Sequence, residues 1–163
     1  MKSYSLALFN ITGNSISQLA KLEVPTEPDD RVLASYKDFL FVKSKNMAVI
    51  SFYNRRYKAD FCGAIVFNID KEKKEIVEEK RINHKQAYPQ NYFWAYVQNS
   101  MYIGSYLYTT SSCVIRINSM DQGYSPVGDI ALPCKTDFSQ NKLIGKERRY
   151  INLYEYQKDK LYS

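Results

Sequence analysis

Three features of this chain predict an all-β fold: an aromatic-rich composition, short alternating apolar runs punctuated by turn signals, and a strand pair that recurs along the sequence. Fifteen Tyr and eight Phe stand beside a single Trp in 163 residues. Such side chains suit a pleated, half-buried surface, and Tyr keeps a hydroxyl at the water boundary while its ring packs. Short strands broken roughly every 8–12 residues by turn signals are the pattern of sandwiches, barrels and stacked small sheets. Helix signals are weak. Lys71–Lys80 is rich in helix formers but carries no apolar stripe at helical spacing, so a long hairpin turn is expected there.

The recurring pair decides between these architectures, because self-similarity at a fixed period marks stacked units. Residues 6–24, 64–82 and 113–132 each open with a strand containing a similar core: Leu8-Phe9-Asn10-Ile11, Val66-Phe67-Asn68-Ile69 and Val114-Ile115-Arg116-Ile117. Each core leads through a polar turn into a more amphipathic strand. A second hairpin precedes the later copies. Residues 38–53 form one, with Lys43–Asn46 as its turn. Residues 93–110 hold three short strands, broken at Gln98–Ser100 and at Gly104–Ser105. Near the C-terminus, Asn141-Lys142-Leu143-Ile144 begins another hairpin and Tyr150-Ile151-Asn152-Leu153-Tyr154 is a partial copy.

The repeating unit is therefore four antiparallel strands. The predicted single domain, 1–163, runs as a half unit (4–24), two full units (36–82 and 93–132) and a terminal half (141–156). Three such units do not easily close a ring, so open sheet edges are expected at both ends. The chain is then a fragment of a larger assembly, or it joins copies of itself or a partner, or its terminal halves pair with each other.

The order of elements carries a resemblance. It runs Asp38-Phe39-Leu40-Phe41, Lys45-Asn46-Met47-Ala48-Val49-Ile50, Gly63-Ala64-Ile65-Val66-Phe67-Asn68-Ile69-Asp70, Arg81-Ile82-Asn83-His84, and Tyr102-Ile103-Gly104-Ser105-Tyr106-Leu107-Tyr108-Thr109-Thr110-Ser111. Over about residues 4–125 this resembles the C-terminal part of a β-propeller domain family of bacterial and archaeal proteins, often exported. The resemblance implies a partial β-propeller-like stack of about three four-stranded antiparallel blades. It implies an extracellular setting and brings no active site. The chain departs from the family in its shortness, in its lack of a signal segment, and in having Tyr36-Lys37-Asp38 where family members tend to carry a His.

Candidate chemistry is sparse. No Gly-rich phosphate loop, nucleophile-elbow motif or paired-His metal motif occurs, so no catalytic residue, metal site or cofactor is expected. His84 is the only histidine, and it lacks a neighbouring constellation in the sequence; it is expected to end a blade strand and hydrogen-bond a neighbouring loop. Glu27, Asp29 and Asp30 sit in a Pro-containing linker and read as solvated surface. The aromatic stretch holding Tyr88, Tyr92 and Trp94 is, with His84, the candidate binding patch, although Phe93 and Trp94 also suit packing between blades. Folding the last hairpin about Asp121–Gly123 brings Cys113 and Cys134 together. They are expected to form a disulfide in an oxidising compartment or to remain buried thiols otherwise, with Cys62 left over.

The formal net charge is +6, but the basic residues are scattered and interleaved with acids, so nucleic acid is not an expected partner. No apolar run is long enough to span a bilayer as a helix. The reading these points favour is a non-catalytic binding or structural module that meets another protein chain, or itself, through open sheet edges. Two readings stay open beside it: a remnant or subunit of a hydrolase, and a basic surface for nucleic acid or anionic polysaccharide.

Overall fold

The computed structural model describes residues 3–25, 30–32, 39–54, 61–85 and 96–133. Among them there is no α-helix, and eleven strands follow one another: β1 (Ser3–Thr12), β2 (Ser15–Pro25), β3 (Asp30–Val32), β4 (Phe39–Val42), β5 (Met47–Asn54), β6 (Gly63–Asp70), β7 (Glu75–Asn83), β8 (Asn99–Ile103), β9 (Tyr106–Thr110), β10 (Val114–Ser119) and β11 (Ser125–Ala131). They make three antiparallel sheets. The first is the hairpin β1–β2. The second runs β4-β5-β6-β7, with β3 beside the far end of β5. The third runs β8-β9-β10-β11. The fold is all-β, as the composition predicts.

Local chemistry closes each hairpin. Between β4 and β5 a one-turn 3-10 segment, Lys43–Lys45, ends on Asn46 at φ 52. Asn tolerates this left-handed conformation because its short polar side chain bonds locally. Gly104, at φ 57, does the same between β8 and β9. The turn after β6 is only Lys71–Lys74, shorter than expected. The helix-forming run Glu75–Lys80 belongs to β7, because Ile76 is buried toward the first sheet and Ile82 toward the third, while Glu75, Glu79, Lys80 and Arg81 are exposed. Two further details differ from the sequence reading. Asp30 lies in a short strand rather than a linker. Tyr96–Gln98 are not strand, so the third sheet draws its first two strands from 99–110 alone.

The sheets stack face to face. Leu6 and Leu8 of β1, with Ala20 and Leu22 of β2, pack on a buried cluster of the second sheet that includes Ile65 and Phe67. Tyr4 and Phe52 meet edge to face, with ring centroids 6.1 Å apart. The other side of the second sheet, bearing Met47, Val49, Ala64 and Val66, packs against Leu107, Val97 and Tyr124 of the third unit. Fully burying an aliphatic or aromatic side chain is worth roughly 1.5–3 kcal/mol, so these two seams dominate stability.

The seams also correct the alignment of the repeats. Val66 faces forward to the third sheet and Phe67 faces back to the first. Arg116 lies opposite Thr109 on the strand pair β9–β10, and both reach back to the second sheet. By strand register, and by the bulge that falls between Val66 and Phe67 and again between Ile117 and Asn118, Val66 corresponds to Ile117 and Phe67 to Asn118, three residues later than similarity suggests. A slip by an odd number of residues exchanges the two faces of a strand, so only pairing and packing reveal it.

Candidate functional site in the seam between the second and third sheets

The best-formed polar constellation lies where β7 leaves the second sheet. His84 follows β7 directly, and its backbone N–H donates to the carbonyl of Cys62 at 2.8 Å, which fixes the ring against the third sheet. There Nε2 meets Thr109 Oγ1 at 2.8 Å and Nδ1 meets Ser111 Oγ at 3.0 Å. Thr109 and Ser111 alternate inward at the end of β9, on the face that also bears Leu107. The Ser111 hydroxyl donates onward to the Val114 carbonyl at 3.3 Å. That assigns the proton to Nδ1 and leaves Nε2 to accept from Thr109.

Arg116 completes the constellation. Its Nε and Nη2 grip Asp129 at 3.0 and 2.8 Å, a bidentate pair within the third sheet, and its Nη1 donates to the Asn83 carbonyl of the second. Asp129 is held below the usual carboxylate range, chiefly by the Arg116 hydrogen bonds. Burial, reinforced by the Arg116 charge and opposed by Asp129, pushes His84 down to about 4, so it is neutral at pH 7.

A Ser–His pair at hydrogen-bond distance invites a catalytic reading, and three observations oppose it. His84 is 0% and Ser111 1% exposed, so no substrate atom reaches either. The Ser111 proton points at a carbonyl rather than at the imidazole, so His84 is not placed to remove it. The base nitrogen, Nε2, is occupied by Thr109. The constellation joins sheets: both ring nitrogens of His84 pair across one seam with the buried hydroxyls of Thr109 and Ser111.

A cleft of about 560 Å³ opens along the same seam, lined by Lys45, Met47, Asn68, Val77, Glu78, Glu79, Met120, Gly123 and Tyr124. Its carboxylates are engaged: Asn68 donates to Glu79 at 3.2 Å, and Arg81 grips Glu78 at 2.7 and 2.9 Å. The Tyr124 hydroxyl also bonds Glu79, and burial, then the Glu79 charge, raise its pKa. Tyr124 is thus a donor at neutral pH and not a base. Among the described residues, no group of three or more His, Cys, Asp or Glu could hold a metal ion. No helix among them is long and apolar enough to cross a membrane.

The family model of the beta propeller domain matches residues 2–123. The chain belongs to the β-propeller domain family. No curated protein and no solved structure matches it. In propeller terms, the second and third sheets are four-stranded blades, beside the two-stranded sheet β1–β2. The His84 constellation is then a polar joint between successive blades.

Of the residues singled out in the sequence, His84 sits at this joint. Tyr88, Tyr92 and Trp94 lie outside the described residues. Cys113 is disulfide-bonded and Cys62 is a buried thiol; Cys134 lies outside the described residues. The sequence reading missed Thr109, Ser111, Arg116 and Asp129. A signal for two of them was present: Leu107, Thr109 and Ser111 are alternate residues on one strand face, and hydroxyls on a face that starts apolar mark a buried polar contact.

Proposed function

We propose that this chain is a non-catalytic β-propeller-type binding or structural module that acts through protein–protein contacts. The observation that carries this reading is the pair of apolar sheet faces exposed, among the described residues, at the two ends of the stack. On β1–β2 the face turned away from the second sheet bears Phe9, Ile11 and Ile16, and the two isoleucines are each 70% exposed. On the third sheet the outward face bears Tyr106 and Ile130, with Ile103 61% exposed. Contiguous apolar surface of this kind marks a protein interaction site. The sealed His84 joint and the engaged carboxylates of the cleft support a scaffold over a hydrolase. A disulfide between Cys113 and Cys134 fits the reading, closing the last hairpin and adding about 3 kcal/mol by the chain-entropy rule for a loop of that length.

The test is a photo-crosslinking amino acid placed in cells at Ile11, at Ile103, or at Lys73 in an exposed turn. Protein adducts from the first two positions and none from the third are expected. Absence of adducts at both Ile11 and Ile103 would overturn the reading.

A further inference from the structure

The tip of the first hairpin is two-sided. Strand alternation puts Tyr4, Leu6 and Leu8 on the face of β1 that packs on the second sheet. The next two positions on that face are Asn10 and Thr12, and the register places Ser17 and Ser15 directly across from them. All four are exposed. The apolar stripe that seals the seam therefore stops at Leu8, and the hairpin continues beyond it with a small, polar, uncharged surface. The opposite face of the tip bears Phe9, Ile11 and Ile16.

Asn10-Ile11-Thr12 is an Asn-x-Thr sequence whose middle residue is not Pro, the acceptor pattern for N-linked glycans. Of the eleven asparagines in the chain, Asn10 alone is followed two places later by Ser or Thr. In a strand this spacing has a geometric consequence: residues i and i+2 share a face, so the hydroxyl lies beside the amide. Here Asn10 Nδ2 donates to Thr12 Oγ1 at 3.0 Å. The bond holds the amide at the surface and sets an acceptor oxygen against the N–H. Ser15 and Ser17 opposite are small and leave room around it. A second observation concerns the compartment. Cys113 is disulfide-bonded, and disulfides form and persist in oxidising compartments outside the cytosol, where N-linked glycans are also attached.

We infer that Asn10 is a modification site that carries an N-linked oligosaccharide. The co-reactant is an oligosaccharide joined through the anomeric carbon of its first sugar to a lipid-borne phosphate, presented by a membrane transferase. Asn10 Nδ2 forms a bond to that carbon while the carbon–oxygen bond to the phosphate breaks. The lipid phosphate leaves with the bonding pair, and one amide proton passes to a base of the transferase. Nothing is oxidised or reduced. The product is a secondary amide that keeps one N–H to donate to Thr12. The glycan leaves from the polar side of the tip, bulky and solubilising, and keeps Phe9, Ile11 and Ile16 open to a protein partner.

The test is mass spectrometry of the full chain isolated from its native host. The tryptic peptide Ser3–Lys21 should carry a sugar mass on Asn10. Asn14 lies in the same peptide, is followed by Ser15-Ile16, and should be bare. Enzymatic release of the glycan in heavy-oxygen water should leave a labelled carboxylate at position 10. Asn10→Gln and Thr12→Val, expressed in the same host, should lose the glycan completely and keep the β-sheet circular dichroism, because both side chains are exposed. Thr12→Ser, which retains the hydroxyl, should retain the glycan. An unmodified Asn10 in the native protein would overturn the inference, as would a glycan that survives Thr12→Val.

Discussion

Gly63→Ala is expected to destabilise the chain by about 3 kcal/mol, at the upper end of the usual cost of overpacking. A Cβ at this position would sit 1.9 Å from the Ile82 carbonyl oxygen, 2.9 Å from its carbon and 3.1 Å from the Asn83 Cα. All three are backbone atoms, so no side-chain rotation relieves the clash. β7 must withdraw from β6 where the two strands end. The displaced residues are Asn83, whose carbonyl accepts from Arg116, and His84, whose N–H bonds Cys62. The cost therefore reaches the joint between blades. Gly128→Ala is the control, because a Cβ there meets nothing within 4 Å. Chemical denaturation of the two variants checks the prediction, and equal, small changes in both would contradict it.

The second large effect is a loss of stability in mild acid. His84 has an ordinary pKa of 6.5 and is lowered to about 4 in the fold, first by burial and then by the Arg116 charge. A group whose folded pKa is depressed contributes fully above its unfolded value. As pH falls below 6.5 the unfolded chain takes up a proton that the folded chain refuses. Stability declines until the folded pKa is passed, near pH 4. A shift of this size corresponds to about 3 kcal/mol at roughly 1.4 kcal/mol per unit. Asp129, facing His84 from β11, and Asp70, the last residue of β6, are both lowered, so they stay ionised through this window and add their losses only below it. Urea midpoints measured from pH 7 down to pH 4 should fall steeply in the wild type. In His84→Gln the same span should be nearly flat. A matching slope in both would show that the joint does not hold a neutral imidazole.

The fold class was legible because strand chemistry is local. Tyr and Phe at alternate positions, Asn46 and Gly104 at turns, and the doubled hairpins all act over a few residues. The extent of β7 was not, because Glu75–Lys80 is helix-forming in isolation and becomes a strand only by pairing with β6. The phase of the third repeat was misread for a similar reason. Val114 resembles Val66, yet the face a strand presents is set by what lies across the seam. The joint was half legible. His84 stood out as the only histidine, but Thr109, Ser111 and Arg116 are ordinary strand residues until the stack brings them to one ring.

The central claim is that successive sheets are joined through His84, and a double-mutant cycle tests it most directly. His84→Leu, Thr109→Val and the double variant should show a coupling of about 1 kcal/mol or more, as expected for side chains that share a buried hydrogen bond. Strict additivity of the two single changes would mean that β7 and β9 do not meet there, and the stacked arrangement would fall with it.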